Sequence, residues 1–260
     1  EKDVLKWDKE FDAIVVGTGY AGSAAMQSLL DNGVKNVIMI DKMPYLGGNS
    51  AYSGGKIAVA GSKFQKEENV EDSKEKFVAD ILKSGHNIND KELVDIMVED
   101  APRTLEWLMA SGVKFSQLTR SGGHSVARSL SPGVGSYITR PLQKKILNDG
   151  GKIQTRTIMD GIVYDKNGNV IGLKVREKYQ FNFDPDAIEA DNKSGQVRYY
   201  KAYGGVILAT GGWGADYRFR QKFDESLTKE FKTTNHQGAT GYTAEILLKD
   251  NVKFVDMQYI

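Results

Sequence analysis

Gly17-Thr18-Gly19-Tyr20-Ala21-Gly22 has the spacing G-x-G-x-x-G, and an acidic residue, Asp41, follows Gly19 by 22 positions. That combination suits the binding of a dinucleotide. The glycines permit a tight turn and let backbone N–H groups approach a pyrophosphate at the positive end of a helix, while the carboxylate accepts hydrogen bonds from the adenosine ribose. FAD and NAD both satisfy this description. Other chemistry has less support. The absence of cysteine removes thiol nucleophiles, thiolate metal sites and disulfides. His86, His124 and His236 stand at no catalytic spacing, and each reads as a structural or surface residue. Arg120 and Arg128 carry charge suited to a phosphate or a carboxylate, and equally suited to a solvated surface.

A dinucleotide turn needs a strand before it and a helix after it. Asp12–Val16 is a β-branched apolar run, and Ala21–Leu30 places Ala24, Met26, Leu29 and Leu30 on a helical face that Gly33 ends. Asn36–Ile40 is a second buried strand, so the first forty residues form a βαβ unit with a parallel pair and helices on both faces of the sheet. Pro44–Gly61 reads as a long ordered loop. Helical spacing follows over Val70–Lys83, Lys91–Val98, Thr104–Met109 and Tyr137–Leu147. Strands are expected over Lys152–Thr157, Gly161–Asp165 and Val170–Glu177, with Asn167-Gly168 as a hairpin turn, and these make an antiparallel meander inserted in a parallel architecture. Asn182–Gln196 is polar enough for a surface loop. Val197–Tyr203 and Gly205–Ala209 return to strand, a helix spans Tyr242–Leu248, and Lys253–Met257 reads as a final strand before Gln258, Tyr259 and Ile260.

Lysine plus arginine exceed aspartate plus glutamate by one, 35 against 34, so no strong field favours nucleic acid or an acidic membrane surface. No apolar run approaches the roughly 20 residues of a membrane span. The chain begins Glu1-Lys2-Asp3 without a leader, as a processed or trimmed chain would.

Gly47-Gly48-Asn49-Ser50-Ala51-Tyr52-Ser53-Gly54-Gly55 alone is a Ser/Gly loop. It is joined, in order, by Arg120-Ser121-Gly122-Gly123-His124-Ser125-Val126-Ala127-Arg128-Ser129, Ile207-Leu208-Ala209-Thr210-Gly211-Gly212 and Thr234-Asn235-His236-Gln237-Gly238-Ala239-Thr240-Gly241. With these the chain resembles the flavoprotein family of fumarate reductases, succinate dehydrogenases, urocanate and methacrylate reductases and ketosteroid dehydrogenases. The pattern is most similar to the soluble, often periplasmic flavocytochrome c type reductases of activated C=C bonds.

The resemblance implies an α/β fold of the glutathione-reductase-like, Rossmann type, with residues 1–260 an incomplete FAD-binding domain. It implies FAD contacts from Gly17, Gly19, Tyr20, Ala21 and Gly22 at the turn and from Asp41 and Lys42 after the second strand. Further contacts are implied from Gly48, Asn49, Ser50, Gly54 and Gly55 along the pyrophosphate and flavin, from Ile162 at the adenine, and from Ala209, Thr210, Gly211, Thr240 and Gly241. No histidine stands at Gly48-Asn49-Ser50, so the FAD is expected to be noncovalent. Three departures stand out: Lys56 could bring a cation toward the flavin, Tyr242-Thr243 replace a usual Asp-Gly, and Leu130-Ser131-Pro132 replace a His-Arg-Pro, so the unsaturated acid need not be fumarate. In the resembled reductases hydride passes from flavin N5 to the substrate and an arginine supplies the proton, from regions matching positions beyond Ile260. A haem-containing electron donor and a periplasmic location are further implications. An FAD module active only with a partner chain, a ketosteroid-dehydrogenase-like enzyme and an NAD(P) enzyme are the alternatives, and the last gives the Gly47–Gly55 block no role.

Overall fold

Polar and apolar residues alternate from Lys9 and give way to the apolar run Ala13–Val16, and the whole segment forms strand β1 (Lys9–Val16) in the computed structural model, which describes residues 6–259. Ile14 and Val15 have no exposed surface, as a strand covered on both faces requires. Burying each aliphatic side chain of this size contributes about 1.5–3 kcal/mol. Helix α1 (Tyr20–Asp31) packs Met26, Ala25, Leu29 and Leu30 onto Ala13, Val15, Val37 and Met39, and so covers one face. Strand β2 (Val37–Ile40) lies parallel to β1, with Ala13 opposite Val37 and Val16 opposite Ile40. The expected βαβ unit is present.

The stretch 44–61, read as a loop, contains a short helix, α2 (Gly48–Tyr52), and a two-residue strand, β3 (Ile57–Ala58). Helix α3 (Lys63–Glu67) follows. Helix α4 (Lys74–Ser84) starts after Ser73, whose hydroxyl accepts from Lys76 N, so it begins later than apolar periodicity alone suggests. The two helices expected over 91–109 are one, α5 (Lys91–Ala110): Asp90 caps it, and Val94, Val98, Leu105 and Leu108 continue a single buried face through Pro102. Strands β4 (Gln117–Thr119) and β5 (Ser129–Ser131), which the sequence did not suggest, form a three-stranded antiparallel sheet in the order β3-β5-β4.

Helix α6 (Ser136–Asn148) leads into β6 (Lys152–Gln154), β7 (Thr157–Tyr164), β8 (Val170–Glu177) and β9 (Gln196–Leu208). The main sheet has the order β6-β2-β1-β9-β8-β7. Only β7, β8 and β9 form the meander; β6, expected as part of it, pairs parallel with β2. The two strands expected over 197–209 are one, β9, which is parallel to β1 with a register shift between Phe11 and Ala13. A helical turn, α7 (Tyr217–Arg220), and α8 (Tyr242–Lys249) complete the regular elements. Lys253–Met257 is not a strand: it is irregular and Val255 is 80% exposed, since alternation without a neighbouring strand earns no ladder hydrogen bonds. Glu1–Leu5 and Ile260 lie outside the described residues.

The chain divides into two compact units, one holding the chain up to Ser50 and from Gln143 onward, the other Ala51–Leu142. The first contains the main sheet. The second is built on Ala60, Phe77, Val94 and Val98, where α4 and α5 meet.

Candidate functional site

The carboxyl ends of β1, β2 and β9 converge, since Gly17 N donates to Ile40 O at 2.8 Å and Ala209 N donates to Val16 O at 2.8 Å. In a parallel sheet this edge is where ligands bind. Gly17 turns the chain at φ +106°, and a Cβ there would stand 2.2 Å from Ala209 O. A Cβ at Gly22 would stand 1.9 Å from Gly17 O, so the turn and α1 close on each other only without side chains. The N-cap of α1 is Gly19, which has no side chain to cap the helix, and the first turn borders the cleft. Its positive end is suited to an anion there.

Asp41 is oriented by its neighbours. Its Oδ2 accepts from Thr18 N (3.2 Å) and Thr18 Oγ1 (2.5 Å), and its Oδ1 from Met43 N (2.9 Å). The Thr18 hydroxyl in turn accepts from Gly47 N at 2.9 Å, which ties the following loop to the first turn. Ser50 Oγ accepts from Tyr20 N at 3.0 Å. Asn49 bridges to the 235–241 loop: its amide donates to Asn235 Oδ1 and its Oδ1 accepts from His236 N at 2.7 Å. Lys42 Nζ binds both oxygens of Glu189 and Thr240 Oγ1.

Thr18, Asp41, Lys42, Asn49, Ser50, His236 and Thr240 line a cleft of about 380 Å³, within the usual range for small-molecule sites. Gly17, Gly19, Tyr20, Ala21, Asp41, Lys42, Gly48, Asn49, Ser50, Ala209, Thr210, Gly211 and Thr240 are brought together there. Gly22 packs behind the turn, and Gly241 donates from its N to Asp216 Oδ2 at 3.1 Å behind the wall. The half-buried Ile162 side chain packs against the core cluster of Met159, Leu173 and Tyr200, and Thr157, Ile158 and Met159 line the cleft. Gly54 and Gly55 belong to the second unit, where Gly55 lies against Val134 and Gly135 and Lys56 is exposed. Thr18 and Met43 are lining residues that sequence reasoning did not nominate, and His236, which lies in one of the matched motifs, lines the cleft as well. Thr18 could have been suspected, since a small hydroxyl between the first two glycines can reach the following acid.

His236 is 9% exposed. Burial pushes its pKa below the ordinary value; the Asp41 charge opposes that shift and Lys42 adds to it. Its Nδ1 accepts from Gly238 N at 2.8 Å, which leaves the proton on Nε2. Tyr242 takes the place of the usual acid and is half-buried: desolvation, aided by the Asp160 carboxylate that its hydroxyl bonds at 3.0 Å, pushes it up to about 12. Thr243 lines the cleft. His86 and Arg120 are exposed, and His124 packs edge-on to Phe77. Arg128 has no exposed surface, so it is not a solvated residue; it bridges Asp72 and Asp80 inside the second unit.

A larger cleft of about 830 Å³ lies between the 179–192 insertion and α7; it shares Thr240 with the smaller one and is lined by Lys42's partner Glu189. It has no glycine turn and no strand ends, so the smaller cleft is the one equipped for a dinucleotide. Among the described residues no His, Cys, Asp or Glu cluster could hold a metal ion, and no described helix is long and apolar enough to cross a membrane.

A model of the FAD-binding-domain family matches residues 12–260. The acrylate reductase flavoprotein subunit of Shewanella woodyi is 38% identical over 240 residues, 91% of this chain and 46% of that protein. The urocanate reductase of Eggerthella lenta is 35% identical over 256 residues, 96% of this chain and 40% of its own length. A fumarate reductase (cytochrome) of Shewanella frigidimarina is 32% identical over 253 residues, with 96% and 41% covered. The chain thus spans less than half the length of these curated relatives. An open conformation of a flavocytochrome c3 fumarate reductase superposes with a TM-score of 0.83 at 29% identity, over 94% of this chain and 41% of that one. A 3-ketosteroid-delta4-(5alpha)-dehydrogenase from Rhodococcus jostii RHA1 superposes at 0.82 over 98% and 57%, but at 20% identity it shares the fold alone.

Proposed function

Because this chain belongs to the FAD-binding-domain family, we propose that the protein containing it is a flavin-dependent reductase of an activated C=C bond in an unsaturated acid of the acrylate, urocanate or fumarate kind. The observation that carries this reading is the joining of the glycine turn, Asp41 and the 47–50 loop in one cleft, in a chain at least 32% identical to three such reductases. FAD supplies hydride transfer from its N5.

This chain's own residues bind and orient. The first turn of α1 and the backbone of Gly19–Ala21 face the pyrophosphate, Asp41 accepts the ribose hydroxyls, and Thr157–Met159 flank the adenine. The 47–50 loop, held by Thr18 and Asn49, continues the wall toward the flavin. We assign no catalytic residue within this chain, and place the proton donor and carboxylate clamps in the remainder of the protein. The cofactor is held noncovalently, so acid precipitation should leave yellow FAD in the supernatant.

We further propose a haem-containing electron donor, as in the relatives named as cytochrome and flavocytochrome reductases, and a periplasmic location. Rapid mixing with a reduced c-type cytochrome tests the first, and a phosphatase fusion the second. For the activity, the complete protein should oxidise reduced viologen with at least one of acrylate, methacrylate, urocanate or fumarate. A protein that reduces none of them, yet oxidises a saturated ketone with an artificial acceptor, would overturn the reading.

A further inference from the structure

Glu189 stands on a short 3-10 turn (Glu189–Asp191) in the insertion between β8 and β9. Its side chain is 10% exposed and accepts four hydrogen bonds from three groups: Lys42 Nζ to both oxygens at 2.9 and 2.8 Å, the Tyr179 hydroxyl at 3.3 Å and the Thr240 hydroxyl. Lys42 spends its remaining N–H bond on Thr240 Oγ1 at 2.5 Å. All three ammonium protons are engaged, so the cation is fixed at the rim and not extended into the cleft.

The turn carrying Glu189 is itself braced. Arg176, clamped by Asp160, donates to Asn192 O at 2.7 Å and Ser194 O at 2.8 Å, and Asn192 Nδ2 donates to Gln180 O at 2.7 Å. Burial and the charge of Glu189 raise the Tyr179 pKa, which keeps that hydroxyl a donor. Glu189 therefore meets Lys42 with a defined geometry, and Lys42 follows Asp41 directly in sequence.

We propose that Glu189 is a positioning residue for the adenosine end of the cleft: it locks Lys42, beside the ribose-binding Asp41, to Thr240 at the entry to α8, and so favours FAD over a flavin mononucleotide. The inference rests on the reading of this cleft as the FAD site. Its physical basis is that the two rims come from segments 198 residues apart in sequence, and a partly buried charge-assisted cluster fixes their separation before the ligand arrives.

The test titrates flavin-free complete protein with FAD, ADP and FMN, following flavin fluorescence directly and ADP by competition. Glu189→Ala should raise the Kd for FAD and ADP about tenfold, the loss of one or two charge-assisted bonds, and leave FMN unchanged. Glu189→Gln, which still accepts through one oxygen, should recover part of the loss. Lys42→Met should give the same loss, and the double variant should be no worse than either single one. Equal weakening of FAD and FMN would reduce Glu189 to a general structural role, and unchanged FAD and ADP binding in all variants would remove the proposal. Should Glu189→Ala fail to fold, Glu189→Gln and Lys42→Met carry the comparison. A wild-type protein that takes up no FAD overturns the reading of the cleft itself.

Discussion

Thr18 and Asp41 are joined twice: the carboxylate Oδ2 accepts the Thr18 N–H at 3.2 Å and its hydroxyl at 2.5 Å. Thr18 is 1% exposed, and its hydroxyl also accepts from Gly47 N. Thr18→Val keeps the volume and removes this relay, leaving a buried N–H without its acceptor, at a cost of about 1–3 kcal/mol. The expected result is a fall in Tm and FAD affinity weaker by about tenfold or more, with Thr18→Ser close to wild type. Calorimetry and fluorescence titration would show it. A Thr18→Val protein that binds FAD normally would mean that Asp41 needs no such orientation.

The turn itself is a steric prediction. At Gly22 a Cβ would meet Gly17 O at 1.9 Å, and at Gly17 it would meet Ala209 O at 2.2 Å; both obstacles are backbone and cannot swing aside. Gly22→Ala and Gly17→Ala should each destabilise by about 3 kcal/mol or more. Gly54→Ala, with no atom within 4 Å of the added carbon, should leave stability within about 0.5 kcal/mol. Denaturant unfolding of the three variants decides it, and a stable Gly22→Ala protein would show that α1 can shift away from the turn.

What the sequence disclosed was local. The βαβ unit is legible because the period of Ile14–Val16, the helical face ending at Leu30 and the run Val37–Ile40 each depend on neighbours in sequence. What it concealed depends on distant pairing. β6 is three residues long, and only its contact with β2 makes it a parallel strand. The register shift between Met159 and Gly161 sets Met159 opposite Val175 and Ile162 opposite Leu173, both against the core, and no local signal announces that irregularity. Glu189 sat in a polar stretch that looked like surface loop, and its partner Lys42 is 147 residues away. Arg128 lay in a Ser/Gly-rich segment, and nothing nearby announced two aspartates from α4 and the residues before it.

Those aspartates make acid stability a test. Arg128 binds Asp72 with Nε and Nη2 at 2.8 and 2.7 Å and Asp80 with Nη1 at 2.5 Å. Burial pushes both carboxyls upward, but hydrogen bonds outweigh it, those from Arg128 and Gln65 at Asp72 and from Ser125 and Arg128 at Asp80, so both pKa values end below the ordinary 3.8, Asp80 at about 2. Depressed folded-state values mean stability that is complete above the unfolded pKa and lost as pH falls from about 4 toward 2. Arg128→Met should cost about 3–5 kcal/mol at neutral pH, because it leaves carboxylates buried without their cation. That deficit should shrink at pH 3, where the carboxyls of the variant take up protons. A deficit independent of pH would mean that lost packing on Phe77, 4.6 Å from the guanidinium, dominates.

His236 gives a second titration of the same sign at the cleft, in a higher pH range. Its Nδ1 accepts the Gly238 N–H at 2.8 Å, and burial lowers its pKa from 6.5. Protonation would turn that acceptor into a second donor facing an N–H, so the folded state resists it. As pH falls below 6.5 the unfolded chain takes up the proton first, and stability declines until pH reaches the depressed folded value. His236→Gln cannot titrate. At pH 7.5 it should be less stable than wild type by about 1–2 kcal/mol, the worth of a buried hydrogen bond, and the gap should narrow at pH 5.5. Denaturant curves for both proteins at the two pH values measure the gap. A gap that stays constant would show that His236 does not titrate in that range, or that Gly238 N–H finds another acceptor, and the ring would then count only as packing against Tyr45, whose centroid lies 6.0 Å away.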